Sequence, residues 1–199
     1  MNSIIEDSII EQYKKENKPI KINVACGQIR QEGFIGIDKA KTNATDIVHD
    51  LDIIPWPIPD DCVEEILCSH YVEHVKDLIG FIDEFYRIMK KPYIQDHGDK
   101  KGEEIKSKAT IVAPYYSSIR CWQDPTHVRA ISEMTFLYFN KQWREVNKLD
   151  HYNIKSDFDF TYGYAMDPNW SNRSEESRVF AMKHYINVIT DIYVTLTKR

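Results

Sequence analysis

The stretch that decides the fold is residues 20–52, IKINVACGQIRQEGFIGIDKAKTNATDIVHDLD. Three short apolar runs within it, at 20–25, 34–37 and 46–49, have the length and boundaries typical of β-strands. Each run leads directly into small or acidic residues. Strands that end in this way are typical of an α/β sheet, in which ligands bind beyond the carboxyl ends of the strands. The residues that follow each strand therefore form the candidate site.

The rest of the chain extends this pattern. Apolar runs at 65–68 and 109–113 predict a fourth and a fifth strand, and apolar residues at intervals of three and four predict a helix over 78–89. Two further runs, 155–164 and 184–196, alternate in part and predict an antiparallel strand pair at a sheet edge. The predicted fold class is α/β, with a mostly parallel central sheet and an antiparallel C-terminal strand pair.

A single domain is expected to cover residues 1–199, a length that suits one hydrophobic core. An amphipathic N-terminal helix is expected within 1–19. Ser132 is a plausible N-cap for a short helix over 132–139. The strongly charged segment 93–108 is expected to be a solvated loop at the rim of the site.

Composition narrows the classes of partner. The formal net charge of −5 disfavours nucleic acid, whose binding proteins usually carry a basic excess. No signal peptide and no apolar run of about 18 residues is present, so we expect a cytoplasmic protein with no membrane span. The spacing of histidines, cysteines and carboxylates gives no converging ligand set, so no metal is predicted. The four cysteines, none in C-x-x-C spacing, are Cys26, Cys62, Cys68 and Cys121.

The residues after the strands suggest a nucleoside ligand. Gly27, after the first strand, lets the backbone approach a ligand closely. Asp38, after the second, can accept hydrogen bonds from both hydroxyls of a ribose. Asp50, after the third, can bond an adenine amino group. Each residue alone is more often a turn former, but an acid or small residue at every strand end in this order is informative.

The run from Ile22 to Val75 closely resembles class I S-adenosylmethionine (SAM)-dependent methyltransferases, in particular the small type 11-like proteins of bacteria and phages. Their motifs N-L-G-C-G, G-F-x-N-x-D, H-D-L and S-H-x-x-E-H correspond here to residues 23–27, 33–38, 49–51 and 69–74. A downstream D-P-T-H motif corresponds to residues 124–127. The resemblance implies a single Rossmann-like methyltransferase domain that uses SAM as its cofactor.

The resemblance also assigns roles to residues. The methionine part of SAM would lie against the first loop, the ribose on Asp38, the adenine on Asp50 and Leu51, and the sulfonium and amino-acid end near Ser69 and His70. The residues of the first loop are Ala25, Cys26, Gly27 and Gln28. The chain departs from the family in having Ala25 where the first loop glycine stands, and too few residues between Gly27 and Asp38 for the usual first helix.

His127 is the leading candidate for a catalytic base, because imidazoles exchange protons near neutral pH. Asp124 would orient it or bind the acceptor. A capped turn at 124–126 with a structural His127 is the competing interpretation. His70 and His74 are weaker candidates, since they stand at the entry to the next helix.

The predicted function is methyl transfer from SAM to an acceptor that the sequence does not identify. A small molecule or a sugar is favoured, because aromatic residues are frequent in the second half of the chain and suit such acceptors. Two other classes stay open: a SAM-binding protein without catalysis, and a dinucleotide-dependent oxidoreductase. The absence of G-x-G-x-x-G after the first strand weighs against the last. The aromatic residues are Tyr115, Tyr116, Trp122, Tyr138 and Trp143.

Overall fold

The computed structural model describes residues 8–95 and 102–199. It contains a seven-stranded sheet and a separate two-stranded ladder, with one helix before the first strand and the others between strands. The strands are β1 (Lys21–Val24), β2 (Ile35–Asp38), β3 (Ile47–Val48), β4 (Glu65–Ser69), β5 (Tyr93–Gln95), β6 (Glu103–Ile105), β7 (Lys108–Pro114), β8 (Phe158–Met166) and β9 (Ile189–Lys198). The helices are α1 (Ile9–Lys15), α2 (Leu78–Ile88), α3 (Arg120–Gln123), α4 (Glu133–Leu137), α5 (Lys141–Val146), α6 (Pro168–Ser171) and α7 (Glu175–His184).

The order of strands in the large sheet is β3-β2-β1-β4-β7-β9-β8. All pairings from β3 to β7 are parallel, whereas β9 pairs antiparallel with both β7 and β8. This confirms the predicted mostly parallel sheet with an antiparallel C-terminal pair. The last strand, β9, lies inside the sheet, and β8 forms its edge.

The strand register brings the predicted site residues to one edge of the sheet. Val24 pairs with Ile37 on one side and with Cys68 on the other. The next residue of each strand or turn, Ala25, Asp38 and Ser69, therefore lies at the same level. Because parallel strands end together, the loops that follow them share one face of the molecule.

Helix α2 covers the sheet with the face that its sequence pattern predicts. Phe81 and Phe85 are buried, and the Trp56 ring packs edge-on against both, with centroid distances of 5.3 and 5.9 Å. The ammonium of Lys198, a residue only 3% exposed, donates to the carbonyls of Tyr86 and Met89 at the end of the helix. A cation is favoured there, where the last carbonyls of a helix lack partners.

Three predicted segments are defined more closely by the structure. The segment 93–108 is not simply a loop, because β5 and β6 pair antiparallel within it, and residues 96–101 lie outside the described part. The N-terminal helix begins at Ile9 with Ser8 as its cap, and residues 1–7 also lie outside the description. The last strand begins at Ile189 rather than 184.

The late start of β9 has a local cause. Ser174 caps α7, which continues to His184, so the first residue of the predicted strand is helical. Asn187 then adopts a left-handed backbone with φ of +63°, which interrupts the extended conformation before Ile189. The predicted helix at Ser132 is confirmed as α4, with Ser132 as its N-cap. Within the described residues, no helix is long and apolar enough to cross a bilayer.

Candidate functional site

The loop after β1 has an unusual backbone for its sequence. Ala25 and Gly27 both adopt left-handed conformations, with φ of +53° and +54°. Glycine does this freely, but an alanine pays about 1–2 kcal/mol for it. A Cβ added to Gly27 would meet no atom within 4 Å, so this turn borders open space. The loop is thus a tight turn with an accessible backbone, as close contact with a ligand requires.

Asp38 is held in place by backbone donors. Its Oδ2 accepts a hydrogen bond from the N–H of Gly27 at 2.9 Å, and its Oδ1 accepts one from the N–H of Ala40 at 2.9 Å. The side chain is only partly buried. A carboxylate can accept about four hydrogen bonds, so acceptor capacity remains for a ligand with two hydroxyls.

The connection between β2 and β3 supports the same loop. The hydroxyl of Thr42 donates to the carbonyl of Gly27 at 2.5 Å, and Gly27 is therefore held through both its N–H and its carbonyl. No helix lies between β1 and β2, a stretch that the structure describes throughout, so the predicted short crossover is observed. Gln28, which is exposed, lines a polar pocket of about 350 Å³ together with Lys41 and Thr42.

Two of the predicted cofactor residues face the protein interior. Cys26 is 5% exposed, and its thiol lies 3.5 Å from the carbonyl of Ala44, so only its backbone faces the loop. Leu51 is 3% exposed, and its carbonyl accepts a hydrogen bond from the indole of Trp56 at 3.1 Å. Leu51 still lines a pocket of about 230 Å³ beyond β3. Asp50 beside it is exposed and available to solvent.

His70 lies between two buried carboxylates at the end of β4. Its Nδ1 is 3.6 Å from Glu73 Oε1, and its Nε2 is 4.0 Å from Asp191 Oδ1. The nearby carboxylate of Glu73 raises the pKa of His70 above its ordinary value. The other oxygen of Asp191 accepts from Arg120 at 2.7 Å. Sequence reasoning missed Asp191, because it begins a strand that is distant in the chain and adjacent only through β7.

His127 and Asp124, the two predicted catalytic residues, lie close to each other. His127 Nε2 lies 4.0 Å from Asp124 Oδ2 and 3.9 Å from Glu73 Oε1. The Nδ1 atom is 2.9 Å from the carbonyl of Cys121. A carbonyl only accepts, so Nδ1 carries a hydrogen and, in the neutral ring, Nε2 keeps its lone pair. The His127 side chain is only 9% exposed.

Glu73 is the centre of a cluster that sequence reasoning did not find. It is 1% exposed, and its Oε2 is buried without a hydrogen-bond partner. One potential ligand atom each from Glu73, His74 and His127 lie within 4.8 Å of one another. This corrects the expectation that no set of histidines and carboxylates converges. The motif S-H-x-x-E-H contained two of the three residues, but the third is far along the chain.

The aromatic residues that the sequence analysis associated with the acceptor have different surroundings. Tyr115 is buried, packs on Tyr164 with a centroid distance of 5.2 Å and donates its hydroxyl to Glu133 at 3.0 Å. Tyr138 packs edge-on against Trp143 at 5.0 Å and lines an open pocket of about 380 Å³ beside α2. Tyr115 thus belongs to the packing of the sheet, Tyr138 borders a cavity, and Tyr116 and Trp122 are exposed.

No family model matches the sequence, and no curated protein matches it either. Solved structures do match. A SAM-dependent methyltransferase from Archaeoglobus fulgidus has a TM-score of 0.57 at 16% identity, over 96% of this chain and 93% of its own. A SAM-dependent methyltransferase from Thermotoga maritima gives 0.51 at 13% identity, over 96% and 87% of the two chains. The chain therefore has the fold of class I SAM-dependent methyltransferases.

Proposed function

We propose that this protein binds SAM and transfers its methyl group to a small molecule or a sugar. The observation that supports this most is Asp38, which ends β2 and is fixed by the N–H groups of Gly27 and Ala40. A carboxylate that is oriented in advance loses little freedom when it binds a diol. Together with the fold, this position favours a ribose as its ligand.

The surrounding residues fit the rest of the cofactor. The open turn at 25–28 would hold the methionine part through its backbone, and the exposed Asp50 would accept from the adenine amino group, with Leu51 lining the pocket beneath. Ser69 and His70 are exposed at the end of β4, where they would contact the amino-acid end. The left-handed backbone of His70, with φ of +53°, turns the chain sharply there.

When bound, SAM supplies an electrophilic methyl group on a sulfonium, and the protein contributes alignment of the two reactants. We assign the proton acceptor to His127, whose Nδ1–H bond to Cys121 orients the Nε2 lone pair. Asp124, 4.0 Å away, would stabilise the protonated ring. A base of this kind is needed only when the acceptor group has a high pKa.

A second candidate function is SAM binding without methyl transfer. The 9% exposure of the His127 side chain favours it, because a proton acceptor must reach its substrate. In either case the four cysteines, all free, agree with a reducing compartment such as the cytoplasm. The net charge of −5 favours a small acceptor over nucleic acid.

Calorimetry with SAM, S-adenosylhomocysteine and NAD tests the cofactor assignment. We expect binding of the first two and none of NAD; binding of NAD alone would refute the proposal. Methyl-labelled SAM incubated with pools of small molecules and sugars then tests transfer. Labelled product supports the enzyme, whereas SAM binding without product on any pool supports the second candidate.

A further inference from the structure

The orphaned oxygen of Glu73 requires an explanation that methyl transfer does not provide. The side chain is 1% exposed, and its Oε2 has no hydrogen-bond partner. A buried carboxylate left without partners is strongly disfavoured, so such groups are usually paired or bound to a cation. The nearest basic groups, His70 and His127, lie at 3.6 and 3.9 Å from the other oxygen, Oε1. These distances are too long for good hydrogen bonds.

Both neighbouring imidazoles have a lone pair free on the same ring atom. His127 uses Nδ1–H for the Cys121 carbonyl at 2.9 Å. His74 Nδ1 lies 2.9 Å from the hydroxyl oxygen of Thr126, whose hydrogen is given to Asp124 at 2.6 Å. The Thr126 oxygen therefore accepts from His74. In both neutral rings, Nε2 is consequently left as an acceptor.

This is the arrangement that metal-binding histidines adopt. Such a histidine donates its second ring nitrogen to a carbonyl, carboxylate or similar oxygen, which fixes the tautomer and the ring orientation. Here one ring is fixed by a carbonyl and the other by a hydroxyl that is itself held by a carboxylate. The rings lie edge to face, with centroids 4.7 Å apart.

We propose that Glu73, His74 and His127 bind one divalent cation, with Zn²⁺ as the preferred ion. Two imidazoles and a carboxylate form a recurrent set in catalytic zinc sites, which keep a fourth position for water or substrate. The ligand atoms lie within 4.8 Å of one another, against about 3.4 Å between the ligands of a tetrahedral ion, so binding draws them together. The Asp124 carboxylate, with a half-exposed side chain, lies 4.0 Å from His127 Nε2.

The site adjoins the predicted SAM site through His70, which touches Glu73. A cation bound to His127 Nε2 prevents that atom from accepting a proton. With a cation bound, His127 is therefore a ligand and not the proton acceptor proposed above. An oxygen of the acceptor would then occupy the fourth position, where a cation lowers the pKa of a bound hydroxyl. Cation binding itself does not depend on the proposed function, since it is measured without SAM.

The test is calorimetry of Zn²⁺ with tag-free, chelator-treated protein. We expect one ion per chain in the wild type. Glu73→Gln and His74→Ala each remove one ligand, and each should weaken binding by about 100-fold or more, since even outer partners of metal ligands contribute 10- to 100-fold. Thr126→Val leaves every ligand in place and removes the hydroxyl that links His74 to Asp124, so it should weaken Zn²⁺ binding by about 10- to 100-fold. His151→Ala, at an exposed histidine elsewhere, is the matched control and should bind as the wild type does.

Substitution with Co²⁺ gives a second readout, because its visible absorption reports the ligand geometry directly. We expect tetrahedral bands in the wild type and in His151→Ala, and their loss in His74→Ala. Thermal melting identifies any variant that does not fold. If the ligand variants do not fold, the Zn²⁺ affinity of Thr126→Val, the mildest change, tests the proposal. Absence of Zn²⁺ binding by the folded wild type would overturn the proposal. Unchanged Zn²⁺ affinity in Glu73→Gln, His74→Ala and Thr126→Val would overturn it as well.

Discussion

Two carboxylates stand at the same edge of the sheet, and their surroundings are opposite. Asp38 is partly exposed, and each of its oxygens accepts a backbone N–H at 2.9 Å. Glu73 is 1% exposed, and one of its oxygens has no partner at all. The first is preorganised for neutral hydroxyl groups, whereas the second has unsatisfied charge and two imidazole acceptors nearby. Two carboxylates at the same edge of one sheet can therefore differ in the acceptor capacity that their existing hydrogen bonds leave for a ligand.

The largest effect is expected on turnover, from His127→Ala in the cluster around Glu73. A positioned base contributes about 10²- to 10⁴-fold to rate, so turnover on an identified acceptor should fall by that factor. SAM affinity should be nearly unchanged, because the cofactor residues lie on the other loops. Calorimetry and thermal melting of the variant check this before any acceptor is known. A loss of SAM affinity in proportion to a loss of stability would instead show a structural role for His127.

Chelation sharpens the same prediction. If His127 accepts a proton, chelator-treated wild type should keep its turnover. If His127 is a cation ligand, turnover should fall on chelation and return with added Zn²⁺. The two roles of one ring nitrogen are thus separated in unmutated protein.

The next largest effect is expected from Asp38→Ala on the cofactor side. Hydrogen bonds to a charged group are worth about 1.5–3 kcal/mol each, and about 1.4 kcal/mol is a factor of ten in affinity. SAM and S-adenosylhomocysteine should therefore bind at least about tenfold more weakly in calorimetry. Glu32→Ala removes an exposed acid from the same β1–β2 connection and is the control. Equal affinity of folded Asp38→Ala and wild type would contradict the ribose assignment.

A smaller effect is expected from Thr42→Val, which keeps Asp38 but releases the carbonyl of Gly27. A neutral hydrogen bond contributes about 0.5–1.5 kcal/mol, which corresponds to about 2- to 10-fold in affinity for SAM. A titration with S-adenosylhomocysteine measures it. Affinity equal to the wild type would mean that Asp38 alone orients the loop.

The smallest effect is expected from Ala25→Gly, and it is stabilising. The left-handed backbone at φ of +53° costs an alanine about 1–2 kcal/mol, and glycine removes this cost. Glycine also raises the entropy of the unfolded chain, which cancels part of the stabilisation. We expect a net gain of about 0.5–1 kcal/mol, or a rise in Tm of about 1–4 °C for a chain of this size. Ala40→Gly, at a position outside the left-handed region, should lower Tm. A fall in Tm for Ala25→Gly would show that the methyl group packs usefully.

The same contrast explains what the sequence could predict. Asp38 and Asp50 could be proposed from the sequence because each directly follows a predicted strand, which is a local signal. The cluster around Glu73 was missed because His127 lies on a segment that reaches it only through the fold, where Val128 donates its N–H to the Glu73 carbonyl at 2.9 Å. The start of β9 was misplaced because α7 has little amphipathic pattern and Asn187 sets the boundary by its backbone conformation.

The interior position of β9 has a consequence for biosynthesis. The ribosome makes β9 after β7 and β8, yet β9 lies between them and is hydrogen-bonded to both. A nascent chain that has reached Met166 therefore holds an edge of β7 and the whole of β8 without their ladder partners. Unpaired strand edges are templates for association with other chains. Addition of β9 is thus the folding step that gives β7 and β8 their missing ladder partners, and a partly folded chain without it exposes both strand edges.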